Sequence, residues 1–193
     1  MTDYAVPAER IARPAAWWGM WILIASEATL FGVFIGTYFF LRFKTGIWPP
    51  DGIPKPALVV PLILLAVLVS TSVPMRLAAD AALDRRLNAT RLFVSIALVV
   101  QAGYFAYAVH DFSDQLHRSD ITRNAYSSIY YTLLGASHAH VLLGVLFNVW
   151  LLGKLARGFT TYRVNGAQVI ALYWYAVIVI TIVVYGTLLS ARA

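Results

Sequence analysis

Apolar residues fall in five long stretches separated by short polar segments. A helix rises ~1.5 Å per residue, so about 20 apolar residues cross a ~30 Å hydrocarbon layer. This pattern predicts an all-α, polytopic membrane protein with one transmembrane domain over residues 1–193. The five helices of the bundle are expected at about residues 17–41, 58–79, 92–109, 126–155 and 169–189. Pro74, which follows three hydroxyl-bearing residues, predicts a kink near the end of the second helix.

The first stretch, residues 17–41, contains a single ionisable side chain, Glu27. Ten residues of helix place Glu27 ~15 Å beyond Trp17, near the bilayer midplane. A carboxylate at that depth costs roughly 2.5–3.5 kcal/mol on insertion scales, so it should face protein or water. Glu27 is either a functional acid or a hydrogen-bonded core side chain.

A helical wheel divides the first helix into two sides. One side carries the acid and aromatic rings: Glu27, Phe31, Phe34 and Tyr38. The other carries small residues four apart: Ala28, Gly32 and Gly36. Small residues at this spacing allow another helix to approach closely, so this second side is predicted to be a packing face.

Composition agrees with a membrane protein. Hydrophobic residues make up 60% of the chain and charged residues 12%, against ~45–50% and ~25% in soluble domains. The net charge of +6 comes from basic residues scattered over short loops, which indicates anionic lipid headgroups rather than nucleic acid as the counter-charge. The absence of cysteine from the sequence excludes disulfides, thiolate metal sites and iron–sulfur clusters.

The basic residues also bear on orientation. The N-terminal tail and the loops at 76–91 and 154–163 hold nine Lys and Arg residues, and the opposite side of a five-span protein holds six. This excess predicts a cytoplasmic N-terminus and, with five spans, a C-terminus on the outer side of the membrane.

Two histidines lie inside the fourth stretch. His138 and His140 are two residues apart, so they point ~200° apart on a helix and cannot both bind one metal or one haem. Because the first and fourth helices run in opposite directions, His140 reaches a depth similar to that of Glu27. A Glu27–His140 pair, direct or through water or a third side chain, is therefore predicted. His138 would face another helix, a cleft or a neighbouring subunit.

Motifs for nucleophilic, hydrolytic or nucleotide chemistry are missing from the sequence: there is no P-loop, GxSxG or HExxH. No catalytic residue, metal ligand or cofactor site is predicted for this chain alone.

Four stretches of the chain form a recognisable set: WGMWILIASEATLFGVFIGTYF with Glu27, the loop GIWPPDGI, Gln101-Ala102, and AYSSIYYTLLGASHAHVLLG with His140. Together they resemble one known family, subunit III of the haem–copper terminal oxidases in its short five-helix bacterial form. Their order and spacing match the family over nearly the whole chain.

The chain also departs from the family pattern. Ser137 stands at the family's first histidine in the fourth helix, and His138 at its glycine. Tyr104 replaces an acid in the third helix. In the fifth helix a tryptophan–histidine followed by an aspartate becomes Trp174-Tyr175 and then Ile178. This sequence therefore resembles a divergent member with fewer buried ionisable groups.

The resemblance implies an accessory subunit without redox centres that packs on catalytic subunit I, where haem and copper are held. It further implies a cleft that binds phospholipid, and support for proton uptake and sustained turnover by the oxidase. Candidate lipid or subunit contacts are Phe31, Phe34, Tyr38, Trp48 and His138. Two alternatives remain open: an accessory subunit of a nitric-oxide reductase, and a small independent transporter or channel.

Overall fold

The computed structural model describes residues 15–50, 52–53, 55–118, 124–157 and 161–192. Regular structure in these residues is entirely helical. The elements are α1 (Ala15–Thr45), α2 (Val59–Ser70), α3 (Ser72–Leu83), α4 (Leu87–Arg118), α5 (Ala125–Leu155), α6 (Thr161–Leu189) and a 3₁₀ turn at Ser190–Arg192. With α2 and α3 taken as one span, five helices of the described chain are long and apolar enough to cross a membrane. Helices suit this environment because each satisfies its own backbone groups in lipid.

Several helices extend beyond the expected apolar stretches. The structure continues α1 to Thr45, next to Gly46, whose φ of +68° lies in the left-handed region that favours glycine. It also continues α4 to Arg118, nine residues past the expected end at 109. The hydrogen bond from Gln115 Nε2 to Asp111 Oδ2, 2.7 Å long, supports this polar extension across one turn. Polar sequence outside the hydrocarbon layer can therefore remain helical.

The second span is divided at Thr71. Pro74 has no N–H to donate to the preceding turn, which interrupts the helical hydrogen bonding. The Thr71 hydroxyl donates to the carbonyl of Leu68, and the Trp174 indole Nε1 donates to Thr71 Oγ1 at 2.7 Å. The break between α2 and α3 is therefore connected to α6 by the hydrogen bond between the buried side chains of Thr71 and Trp174.

The central pair of helices is α5 and α6. Helix α1 packs on both of them, whereas α3 packs on α4 and α6, and α4 packs on α5. Gly144 permits the close approach of α5 to α6, because a β-carbon there would lie 2.5 Å from Cζ3 of Trp174. Trp174 itself is fully buried.

The predicted packing face of α1 is not covered by the described part of this chain. Ala28, Gly32 and Gly36 are exposed, and a β-carbon added to either glycine would meet no described atom within 4 Å. The buried residues of α1 are Phe31 and Tyr38, on its other side. Because α5 and α6 cover that aromatic side, the small-residue side faces outward.

The extramembrane ends of α4 and α5 are joined by one arginine. Arg91 Nη2 donates to the carbonyl of Leu155 at 2.6 Å and to that of Ala156 at 3.2 Å. These are among the last carbonyls of α5, which have no partner inside the helix.

Arg10, Arg13 and Arg123, which enter the orientation prediction, lie outside the described residues.

Candidate functional site

The Glu27 and His140 side chains meet between α1 and α5. Glu27 Oε2 lies 2.6 Å from His140 Nε2. The two side chains are 21% and 15% exposed, so the pair is partly rather than fully buried. Its contact is direct and needs no bridging side chain.

The other imidazole nitrogen determines the proton arrangement of this pair. His140 Nδ1 lies 2.7 Å from the carbonyl oxygen of Ala136. A carbonyl oxygen accepts and cannot donate, so Nδ1 carries a hydrogen and donates it. The short contact between Nε2 and Glu27 then holds one proton, either as a neutral carboxylic acid donating to Nε2 or as an imidazolium donating to a carboxylate. Both arrangements have zero net charge, which lowers the cost of placing an acid inside a membrane.

Two further groups position His140. The Phe31 ring meets the imidazole edge-on, with ring centroids 5.1 Å apart and planes at 68°. Tyr173 on α6 donates its hydroxyl hydrogen to the carbonyl of His140 at 3.2 Å. The pair is consequently fixed by groups from α1, α5 and α6.

The aromatic residues predicted to contact lipid or a subunit occupy different environments. Phe31 and Tyr38 are 2% and 0% exposed, because α5 and α6 cover them. Trp48 is half-buried, with ring centroids 5.3 Å from Tyr38 and 4.9 Å from Tyr126. Phe34 is also half-buried and packs edge-on against Phe31.

His138 faces a different part of the bundle. It is 7% exposed and packs edge-on against Phe112 of α4, with ring centroids 5.5 Å apart. Among the described residues, neither of its ring nitrogens has a hydrogen-bond partner. The structure therefore does not bring His138 into the Glu27–His140 site, in agreement with the opposite directions of the two side chains.

A buried amide pair was absent from the sequence-based expectations. Asn148 Nδ2 donates to Gln101 Oε1 at 2.9 Å, and both residues are fully buried between α4 and α5. The sequence pattern marks Gln101 only through the family resemblance and assigns no role to Asn148. The available signal was an amide in the middle of an apolar stretch, where polar groups commonly join helices.

In the described part of the chain, no group of three or more His, Asp or Glu side chains is placed to bind a metal ion. Together, the fold and site define a class: a multi-pass helical membrane protein with a protonatable acid–histidine pair between its spans.

Comparison with known proteins identifies the family within that class. A family model described as cytochrome c oxidase subunit III matches residues 10–190. The chain belongs to the cytochrome c oxidase subunit III family, and this membership implies association with other oxidase subunits.

Named relatives are similar over most of their length. Cytochrome c oxidase subunit 3 of Bacillus sp. (strain PS3) is 25% identical over 171 residues, covering 86% of this chain and 81% of the relative. Quinol oxidase subunit 3 of Bacillus spizizenii is 26% identical over 170 residues, covering 86% and 82%. Probable cytochrome c oxidase subunit 3 of Nocardia farcinica is 28% identical over 179 residues, covering 90% and 87%.

Proposed function

We propose that this chain is an accessory subunit of a proton-pumping haem–copper oxidase, without redox centres of its own. In this role it packs on catalytic subunit I, which holds the haem and copper, and supports proton uptake and sustained turnover. The observation that carries the proposal is the family match over residues 10–190. Relatives named for cytochrome c and for quinol oxidases both align with the chain, so the proposal concerns the oxidase class.

The outward face of α1 is the proposed contact with subunit I. Ala28, Gly32 and Gly36 are exposed in this chain, and small residues four apart let two membrane helices approach closely. Ser26 and Thr29 on the same helix donate their hydroxyl hydrogens to the carbonyls of Leu23 and Ala25. Their hydroxyl groups are therefore already satisfied and leave the face suited to an apolar helix.

Phospholipid binding is the second proposed role. An open apolar groove of about 690 Å³ lies where α1 begins and α5 ends, and Met20, Phe147, Trp150 and Ile170 are among its lining residues. Lys154 Nζ lies 5.4 Å from the centroid of the Trp150 ring. An acyl chain in the groove with an anionic headgroup near Lys154 would match both features.

The Glu27–His140 pair is the proposed link to proton uptake. It holds one proton between two groups at zero net charge, so a proton can move across the contact without leaving an isolated charge in the membrane. The proposed location is a bacterial plasma membrane, with the N-terminus cytoplasmic and the C-terminus outside, as the distribution of basic residues predicts.

Purification of the oxidase with and without this chain tests the proposal. We expect that removing the chain leaves the initial rate of oxygen consumption largely intact but reduces the number of turnovers completed before inactivation. Glu27→Gln should shorten this catalytic lifetime, whereas the neighbouring control Ser26→Ala should retain it. Haem absorbance should accompany the copurifying subunits.

Three results would contradict the proposal. One is an unchanged catalytic lifetime and subunit composition without the chain. Another is copurification with a nitric-oxide-reducing complex instead of an oxygen-reducing one. The third is ion flux through liposomes that contain this chain alone and its loss in Glu27→Gln, which would identify an independent transporter or channel.

A further inference from the structure

A small cavity lies beside His138, between α2, α4, α5 and α6. Its volume is about 20 Å³, and it lies on the opposite side of α5 from the Glu27–His140 pair. A polar cavity needs roughly 10–15 Å³ to hold one water molecule, together with two to four polar partners. The volume therefore fits one water.

The imidazole of His138 needs a partner in this cavity. The side chain is 93% buried, and both ring nitrogens lack a hydrogen-bond partner among the described residues. Phe112 covers one side of the ring and offers no conventional donor or acceptor. Buried polar groups are almost always hydrogen-bonded to protein or ordered water.

The other walls of the cavity provide the remaining polar groups. Asp111 and Gln115 come from α4, Tyr130 from α5 and Tyr185 from α6, whereas α2 contributes the apolar residues Pro61 and Leu64. Asp111 supplies the only carboxyl group among them. Asp111 is half-buried near the C-terminal end of α4. Its carboxylate accepts a hydrogen bond from Gln115 Nε2, one turn further along the helix.

We propose that this cavity is a one-water proton-exchange site, in which the water joins an imidazole nitrogen of His138 to the carboxylate of Asp111. A proton arriving on Asp111 moves to the water as the water gives one of its own protons to the imidazole, and the reverse transfer restores the starting state. The site is separate from Glu27–His140, because His138 and His140 project from different sides of α5. It does not depend on which oxidase contains the chain.

Hydroxyl-radical labelling by brief X-ray exposure tests for the water, since radicals formed from an ordered water oxidise the side chains beside it. The full chain with its copurifying subunits would be labelled, digested and analysed by mass spectrometry. We expect oxidation of Tyr130 in the natural chain and its loss in His138→Leu. It should be retained in His138→Gln, whose amide still binds water. Phe31, buried away from the cavity, is the unlabelled internal reference.

Deuterium exchange at the imidazole C2 position tests for proton exchange. Fragmentation of the labelled peptides separates His138 from His140. We expect His138 to exchange despite its burial, and Asp111→Asn to slow this exchange by removing the charged relay group. The matched control is Asp114→Asn, one turn further along α4 and outside the cavity, which should leave exchange at His138 unchanged.

The possible outcomes separate the two parts of the proposal. Tyr130 oxidation that persists in His138→Leu, or is absent from the natural chain, overturns the water site. Exchange at His138 that is undetectable, or equal in Asp111→Asn and the natural chain, overturns the proton relay. Loss of Tyr130 oxidation in His138→Gln also counts against the site, because that variant keeps a polar partner for the water.

Discussion

His138 and His140 lie two residues apart on α5, yet their surroundings differ completely. His140 has a partner at each ring nitrogen, Glu27 at 2.6 Å and the carbonyl of Ala136 at 2.7 Å. His138 has none among the described residues and faces Phe112 and a small cavity. Residue type and membrane depth therefore do not define a histidine's role, because the neighbouring helix determines which partner is available.

The largest loss of stability is expected when the contact between Glu27 and His140 is removed. His140→Leu leaves Glu27 inside the membrane without its basic partner, at a cost of roughly 2.5–3.5 kcal/mol. Chemical unfolding of the purified chain in detergent would measure the loss of stability. Glu27→Gln should lose much less, because its amide can still donate to His140 Nε2. Equal losses in the two variants would contradict the direct contact.

The second-largest loss of stability is expected at Gly144, the glycine that lets α5 approach α6 closely. Gly144→Ala places a β-carbon 2.5 Å from the Trp174 ring, and overpacking of this kind typically costs about 1–3 kcal/mol. The same unfolding measurement would detect the loss. Gly153→Ala on the same helix is the matched control, since its β-carbon would meet no atom of a described residue within 4 Å. A larger effect at Gly153 than at Gly144 would contradict the close packing.

A smaller effect is expected at the buried amide pair between α4 and α5. Gln101→Leu removes the hydrogen bond from Asn148, and such bonds between membrane helices contribute about 0.6 kcal/mol on average and up to ~1.7. A double-mutant cycle with Asn148→Leu would isolate the coupling energy. Additive losses in the cycle would show that the contact contributes little.

The smallest effect is expected at His138. His138→Leu breaks no hydrogen bond to a described residue, so stability should change by about 1 kcal/mol or less, the ordinary net value of one hydrogen bond. Unfolding of His138→Leu and His140→Leu under the same conditions compares the two sides of α5. A loss at His138 as large as that at His140 would remove the distinction between them.

Much of the fold was predictable because lipid imposes a simple rule. A stretch of about 20 apolar residues must be helical to satisfy its backbone, and the described chain has five such spans. The ends of the helices were harder to predict. Helix α4 continues to Arg118 through polar residues, and the sequence there has no feature that marks where the helix stops. The depth argument that placed Glu27 beside His140 used only residue spacing and helix direction.

Other features depended on how the helices are rotated and paired. The small-residue side of α1 faces outward, although the same pattern could equally have faced α5. Asp111 lies beyond the predicted end of the third helix at residue 109, but the extended α4 carries it to the cavity beside His138. Spacing fixes which side chains share a helix face, whereas the rotation of that face toward a neighbour depends on contacts between distant segments.

The amino-acid sequence alone determined the class of this protein, the number of its spans and the depth of its ionisable side chains, because hydrophobic length and helical rise are local properties. Helix packing sets which histidine meets an acid and which meets a cavity. That choice depends on the packing of α1, α4 and α6 around α5, a contact pattern formed by residues far apart in the chain.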